Sequence, residues 1–160
     1  MIDQKDFKGF HIVTGIGSRS IIGRNAEMVV LEHTRAYLKE AANKHNKPVA
    51  LLSGATKGFD YLLTQLNMPY SLILPHSTWC YSHYGNGWDV EQMLYGAMQL
   101  EYLTNDIGNV STADVAEKHY QRLGALVDEV IVYQKLELYA PQLEMLDYMM
   151  VQTEAIITTI

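Results

Sequence analysis

A chain of 160 residues, 48% of them hydrophobic, is long enough for one full core and too short for two comfortable domains, so one domain over residues 1–160 is expected. The formal net charge is −6 and the 12 Lys and Arg residues are scattered, which leaves counterion release without a source and argues against nucleic acid as a partner. The single cysteine, Cys80, excludes an intrachain disulfide, no apolar run approaches the roughly 18 residues of a membrane span, and Met1 to Lys8 is polar with no signal-peptide core after it; a soluble, cytoplasmic protein with no membrane partner is expected.

His11 to Thr14 is short and β-branched and runs into Gly15-Ile16-Gly17-Ser18-Arg19, the pattern of a strand entering a tight loop. From about Ala26 to Ala42, Val30, Leu31, Tyr37, Leu38 and Ala41 recur at helical spacing, and Asn43 to Pro48 closes that helix. Val49 to Leu52 is a continuous apolar run, as in a strand covered on both faces, and it leads through Gly54 to Gly58 into a short helix from Asp60 to about Leu66. Ser71 to Leu74 is a third strand stopped by Pro75. This alternation predicts right-handed βαβ units and an α/β fold.

From about 76 to 112 the rhythm breaks into an aromatic-rich helical insertion. Asp89 and Gln92 stand at capping-box spacing and Trp88 with Met93 at staple spacing, so a helix starting near Asp89 is predicted, continuing far enough to carry both Glu91 and Glu101. A further helix follows Ser111 or Thr112 with Val115, Tyr120, Leu123, Leu126 and Val127 inward, then a fourth strand from Glu129 to Tyr133. Pro141 suits the first turn of another helix, and Ala155 to Ile160 reads as a fifth strand. The expected architecture is a Rossmann-like three-layer sandwich around a mainly parallel five-stranded sheet of order 3-2-1-4-5.

In such a sheet, ligands bind outside the carboxyl ends of the strands, where strand order reverses. Both glycine-bearing loops leave such ends. Gly15 and Gly17 allow close backbone approach or positive φ, while Ser18 and the Arg19 guanidinium suit a phosphate. Gly54, Ala55, Thr56, Lys57 and Gly58 form a second cradle before a helix start whose free N–H groups favour an anion, and Asp60 either caps that helix or accepts bonds from a ribose. Trp79, Tyr84 and Trp88 either stack a base or pack the insertion onto the core or onto another subunit. Neither loop is a G-x-G-x-x-G or Walker A sequence; the functional reading rests on their pairing.

Gly17-Ser18-Arg19 and Ser53-Gly54-Ala55-Thr56-Lys57-Gly58-Phe59-Asp60 resemble the two hallmark segments of the SLOG superfamily, the Rossmann-like relatives of the DNA-processing protein DprA and the cytokinin-activating LOG enzymes. Pro75 before Trp79, His119-Tyr120 before Val127 to Val130, and Tyr148 to Val151 before Glu154 to Ile157 follow in the same order. The resemblance, which points to the superfamily's small uncharacterised branch, implies binding of a nucleotide or nucleotide-derived signal at Gly17, Ser18, Arg19, Gly54, Lys57, Gly58 and Asp60, as superfamily members generally do at these loops. The P-G-G-x-G-T-x-x-E motif of LOG enzymes is absent, and Met145-Leu146 stands where relatives carry Arg-Asn. Relatives also continue past the last strand into a glycine-rich loop, whereas this sequence stops at Ile160. Half of the usual pocket is therefore expected to be either missing or supplied by another subunit, and a homo-oligomer is expected to cover the apolar segment 156–160.

His76, Cys80 and His83, with His119 from afar, match no closed zinc-site spacing, so no metal and no cofactor is expected. Three functions then rank in order. The first is a sensor or sequestering module binding a nucleotide or nucleotide-derived phosphate. The alternative is a nucleotide N-glycosidic hydrolase or transferase related to LOG enzymes, using a carboxylate such as Asp60, Asp89 or Glu91. DprA-like DNA handling, opposed by the acidic balance, is third.

Overall fold

The computed structural model describes residues 1–17, 24–55, 59–76, 88–103, 112–134 and 137–139. After a one-turn 3-10 helix (Gln4–Phe7), the elements are β1 (His11–Gly17), α1 (Arg24–His45), β2 (Val49–Ser53), α2 (Phe59–Leu63), β3 (Tyr70–Leu74), α3 (Trp88–Gly96), β4 (Leu100–Tyr102), α4 (Thr112–Leu126), β5 (Glu129–Gln134) and β6 (Glu137–Tyr139). They form one sheet of order β4-β3-β2-β1-β5-β6. The first five strands in that order run parallel and β6 returns antiparallel to β5.

Every residue of β1, β2 and β3 is buried, which requires cover on both faces. One face packs Val13, Leu51, Leu72, Leu74 and Ile131 against Val30 and Leu38 of α1, Phe59 and Leu63 of α2, and Met93 of α3. The other packs Ile12, Ile16, Leu52, Ile73 and Val132 against Leu123 and Leu126 of α4 and Phe7 of the 3-10 helix. The chain thus has the expected three-layer, Rossmann-like α/β fold. Among the described residues no helix is long and apolar enough to cross a membrane.

The order agrees with the expectation from the third strand through the strand at 129 and differs outside it. The segment beyond β3 is not simply helical: α3 ends at Gly96 and β4 adds a strand at the sheet's edge. Gly96 ends the helix where the Tyr70 hydroxyl fills the space of a Cβ, at 2.5 Å, and the Met98 N–H donates to the Tyr70 carbonyl. Glu101 therefore lies on a strand and not on the helix of Glu91. α3 begins at Trp88, so Asp89 stands in its first turn. The helix expected from Pro141 and the strand expected at Ala155 to Ile160 lie outside the described residues.

β4 is held by charge. The Glu101 carboxylate accepts from the Ile2 N–H at 2.8 Å and from Arg122 Nε and Nη2 at 2.7 and 2.9 Å, and Arg122 also donates to the Ile2 carbonyl. One ion pair so joins the N-terminus, the edge strand and α4. The Arg122 hydrogen bond is the main influence holding the Glu101 carboxyl below the usual carboxylate range, against the opposing effect of burial.

Candidate functional site

From β1 the chain steps outward through β2, β3 and β4 and then returns to place β5 on the opposite side of β1. Strand order therefore reverses between β1 and β5, and the carboxyl ends of these strands with β2 bound the crevice where α/β sheets take ligands. Gly17 lies beside Tyr133 in the parallel register, and Thr14 beside Leu52. Gly15, Gly17, Gly54 and Ala55 are thereby brought to one end of the sheet.

The glycines of β1 differ from expectation. Gly15 and Gly17 are strand residues rather than loop residues, and neither has a positive φ. What they admit is α2. A Cβ on Gly15 would meet Leu63 Cδ1 and Phe59 Cε2, both at 2.7 Å, and one on Gly17 would meet the Tyr133 carbonyl oxygen at 2.6 Å and Phe59 Cβ at 2.7 Å. Phe59 fills that groove, 1% exposed, with its ring 5.5 Å from that of Tyr133. The close approach foreseen for a ligand is made here by a helix.

Gly54 has a similar neighbour from the other face, since a Cβ there would lie 2.1 Å from His119 Cε1. His119 is buried, and its Nε2 lies 2.7 Å from the Ile73 carbonyl oxygen, an acceptor that requires this nitrogen to carry the proton. Its imidazole thus packs on the glycine and ties α4 to β3.

Ala55 takes a left-handed φ of 54° while fully buried. An alanine there is strained by about 1–2 kcal/mol relative to right-handed backbone. The Ser53 hydroxyl braces it, accepting from the Ala55 N–H at 3.0 Å and donating to the Asp60 carbonyl at 2.8 Å. The loop after β2 is thereby closed at its base, with Asp60 in the first turn of α2. Compared with protein-family models, curated proteins and solved structures, the chain matches none.

Ser18, Arg19, Thr56, Lys57, Gly58, Trp79 and Tyr84 lie outside the described residues, as do Cys80 and His83 of the considered zinc cluster. For Trp88 the backbone alone is described, opening α3. The sequence places Ser53 and Phe59 in the second hallmark segment but gives neither them nor Tyr133 a role at this end of the sheet. A Ser immediately before a glycine at a strand end is the signal that would have found the brace. Sequence reading also passed over the polar group at the opposite end, where His11, Tyr37, His45 and Glu129 meet.

Proposed function

We propose that the carboxyl end of the sheet binds a nucleotide or nucleotide-derived phosphate ligand and that the protein is a sensor or sequestering module of the SLOG kind. The observation that carries this reading is the braced, left-handed Ala55 beside the reversal of strand order, because strained backbone that its surroundings over-determine concentrates at ligand clamps. Arg19 and Lys57 would supply the positive charge to a phosphate, and Trp79, Tyr84 or Trp88 a stacking face. Thermal denaturation with a panel of nucleoside phosphates, cyclic nucleotides and ADP-ribose-type nucleotides tests it. A ligand at 100 times its Kd stabilises by about 2.7 kcal/mol, and Arg19→Ala should abolish the shift. No shift with any phosphate, or a shift intact in Arg19→Ala, overturns the assignment; release of free base during incubation would make the protein a hydrolase instead.

The same reading includes a homo-oligomer in a reducing, cytoplasmic setting. Leu100 and Tyr102 on edge strand β4 stand 40% and 39% exposed, beside Tyr95 at 86% and Met98 at 46%, an apolar edge that a second copy would cover. A monomeric mass by solution scattering at micromolar concentration refutes it.

A further inference from the structure

At the amino end of the sheet, opposite the crevice, three elements converge on one polar group. His11 opens β1, Glu129 opens β5, Asp128 precedes it, and His45 is the last residue of α1. His11 is buried, Glu129 half-buried and His45 exposed, and one ligand atom from each of the three lies within 4.8 Å of the others. His11 Nε2 is 2.7 Å from Glu129 Oε1. The His45 ring stacks on that of His11 with centroids 4.0 Å apart. We propose that His11, His45 and Glu129 form a binding site for a divalent transition-metal ion of the zinc class.

Donor chemistry selects the metal. Two imidazoles and a carboxylate are a nitrogen–oxygen set that suits zinc, cobalt or nickel and disfavours calcium and magnesium, which take oxygen. Bonds of about 2.0–2.1 Å in a tetrahedral site separate ligand atoms by roughly 3.3 Å, so His11 and Glu129 open slightly and the exposed His45 ring turns inward. A fourth position remains on the solvent side.

The outer contacts are those metal sites use to orient their ligands. The Tyr37 hydroxyl donates to Glu129 Oε2 at 2.5 Å, leaving Oε1 for the ion. Asp128 Oδ2 lies 3.9 Å from His11 Nδ1, on the side away from the ion, and is itself fixed by the Ile12 N–H at 2.9 Å. Glu129 and Asp128 give the group two negative charges against a divalent cation. The carboxyl terminus of the 22-residue α1, the negative end of its dipole, adds to the attraction. Bound there, the ion pins the end of α1 to the two strands that flank the crevice.

The test uses the full chain, freed of metal with chelator and titrated with Co²⁺ and Zn²⁺. Expected are one Co²⁺ per chain with the intense visible bands of four- or five-coordination, displacement of Co²⁺ by Zn²⁺, and a raised melting temperature. His45→Ala, an exposed substitution that leaves the core untouched, should weaken binding by about tenfold or more, as should Glu129→Gln. His33→Ala, exposed earlier on α1, should change nothing. Weak octahedral spectra, binding unaltered in His45→Ala, or no bound ion at micromolar concentration overturns the proposal.

Discussion

Truncating Glu101 to alanine removes three hydrogen bonds at once: two from Arg122, whose side chain is only 24% exposed, and one from the Ile2 N–H. Breaking a buried pair by deleting one partner costs about 3–5 kcal/mol, chiefly because the other charge stays behind uncompensated. Arg122 keeps its bond to the Ile2 carbonyl and some contact with water, which places the cost near about 3 kcal/mol. At about 2–4 °C per kcal/mol for a domain of this size, the melting temperature should fall by about 6–12 °C. Circular-dichroism melts at neutral pH of the wild type, Glu101→Ala, Arg122→Met and the double variant Glu101→Leu with Arg122→Met measure this. The double variant should recover most of the loss, since no lone charge remains. A fall of less than about 2 °C in Glu101→Ala, or a double variant as unstable as the sum of the singles, refutes the reasoning. The same pair sets a pH dependence. Glu101 holds its proton less tightly folded than unfolded, so its contribution is present above the ordinary carboxylate range and lost as pH falls through the lower, folded value. The difference between the wild type and Glu101→Ala should therefore shrink below about pH 4.

Gly17→Ala puts a methyl group 2.6 Å from the Tyr133 carbonyl and 2.7 Å from Phe59 Cβ, neither of which can swing aside, and should cost at least about 1–3 kcal/mol by urea denaturation; an unchanged midpoint would dismiss the packing role of this glycine. The buried Thr14 hydroxyl has no hydrogen-bond partner among the described residues, so the isosteric Thr14→Val should stabilise by about 1 kcal/mol, and a destabilised variant would reveal a partner. Burial foremost, then the bond to Glu129, raises the Tyr37 phenol well above the usual tyrosine range. The folded chain thus keeps a proton that the unfolded chain releases above about pH 10, and stability falls as pH rises beyond it; in Tyr37→Phe that alkaline fall should be shallower in pH-dependent urea melts.

Most of the layered fold is legible in the sequence because its signals are apolar. Val49 to Leu52 is continuous and therefore a doubly covered strand, and Val30, Leu38 and Ala41 recur at helical spacing on what becomes the inward face of α1. β4 escapes such reading because its one inward residue is Glu101, a charge made acceptable by Arg122, which lies 21 residues further along the chain. The glycines of β1 mislead for a related reason: a glycine that admits a ligand and one that admits Phe59 look alike until the path of α2 is known. The group at His11, His45 and Glu129 has no local spacing at all, since its members are 34 and 84 positions apart in sequence and are brought together only by the crossovers.

The energetics separate the two glycine-bearing segments. Gly15 and Gly17 would be required by the fold with no ligand present, because any side chain there collides with Phe59. Ala55 is different. A glycine at that position would adopt the left-handed conformation without the steric cost of about 1–2 kcal/mol that alanine bears. What the methyl group returns is the burial of one carbon, about 0.8 kcal/mol, together with the lower unfolded-chain entropy of alanine, about 0.4–1 kcal/mol. These terms nearly cancel, so folding stability alone gives no strong reason to prefer either residue. An alanine braced by Ser53, where glycine would serve the fold as well, instead fixes the direction in which the chain leaves β2. That is a property a phosphate-binding loop needs and a mere turn does not, and it is why the proposal of a ligand site rests on the brace after β2 more than on the glycines of β1.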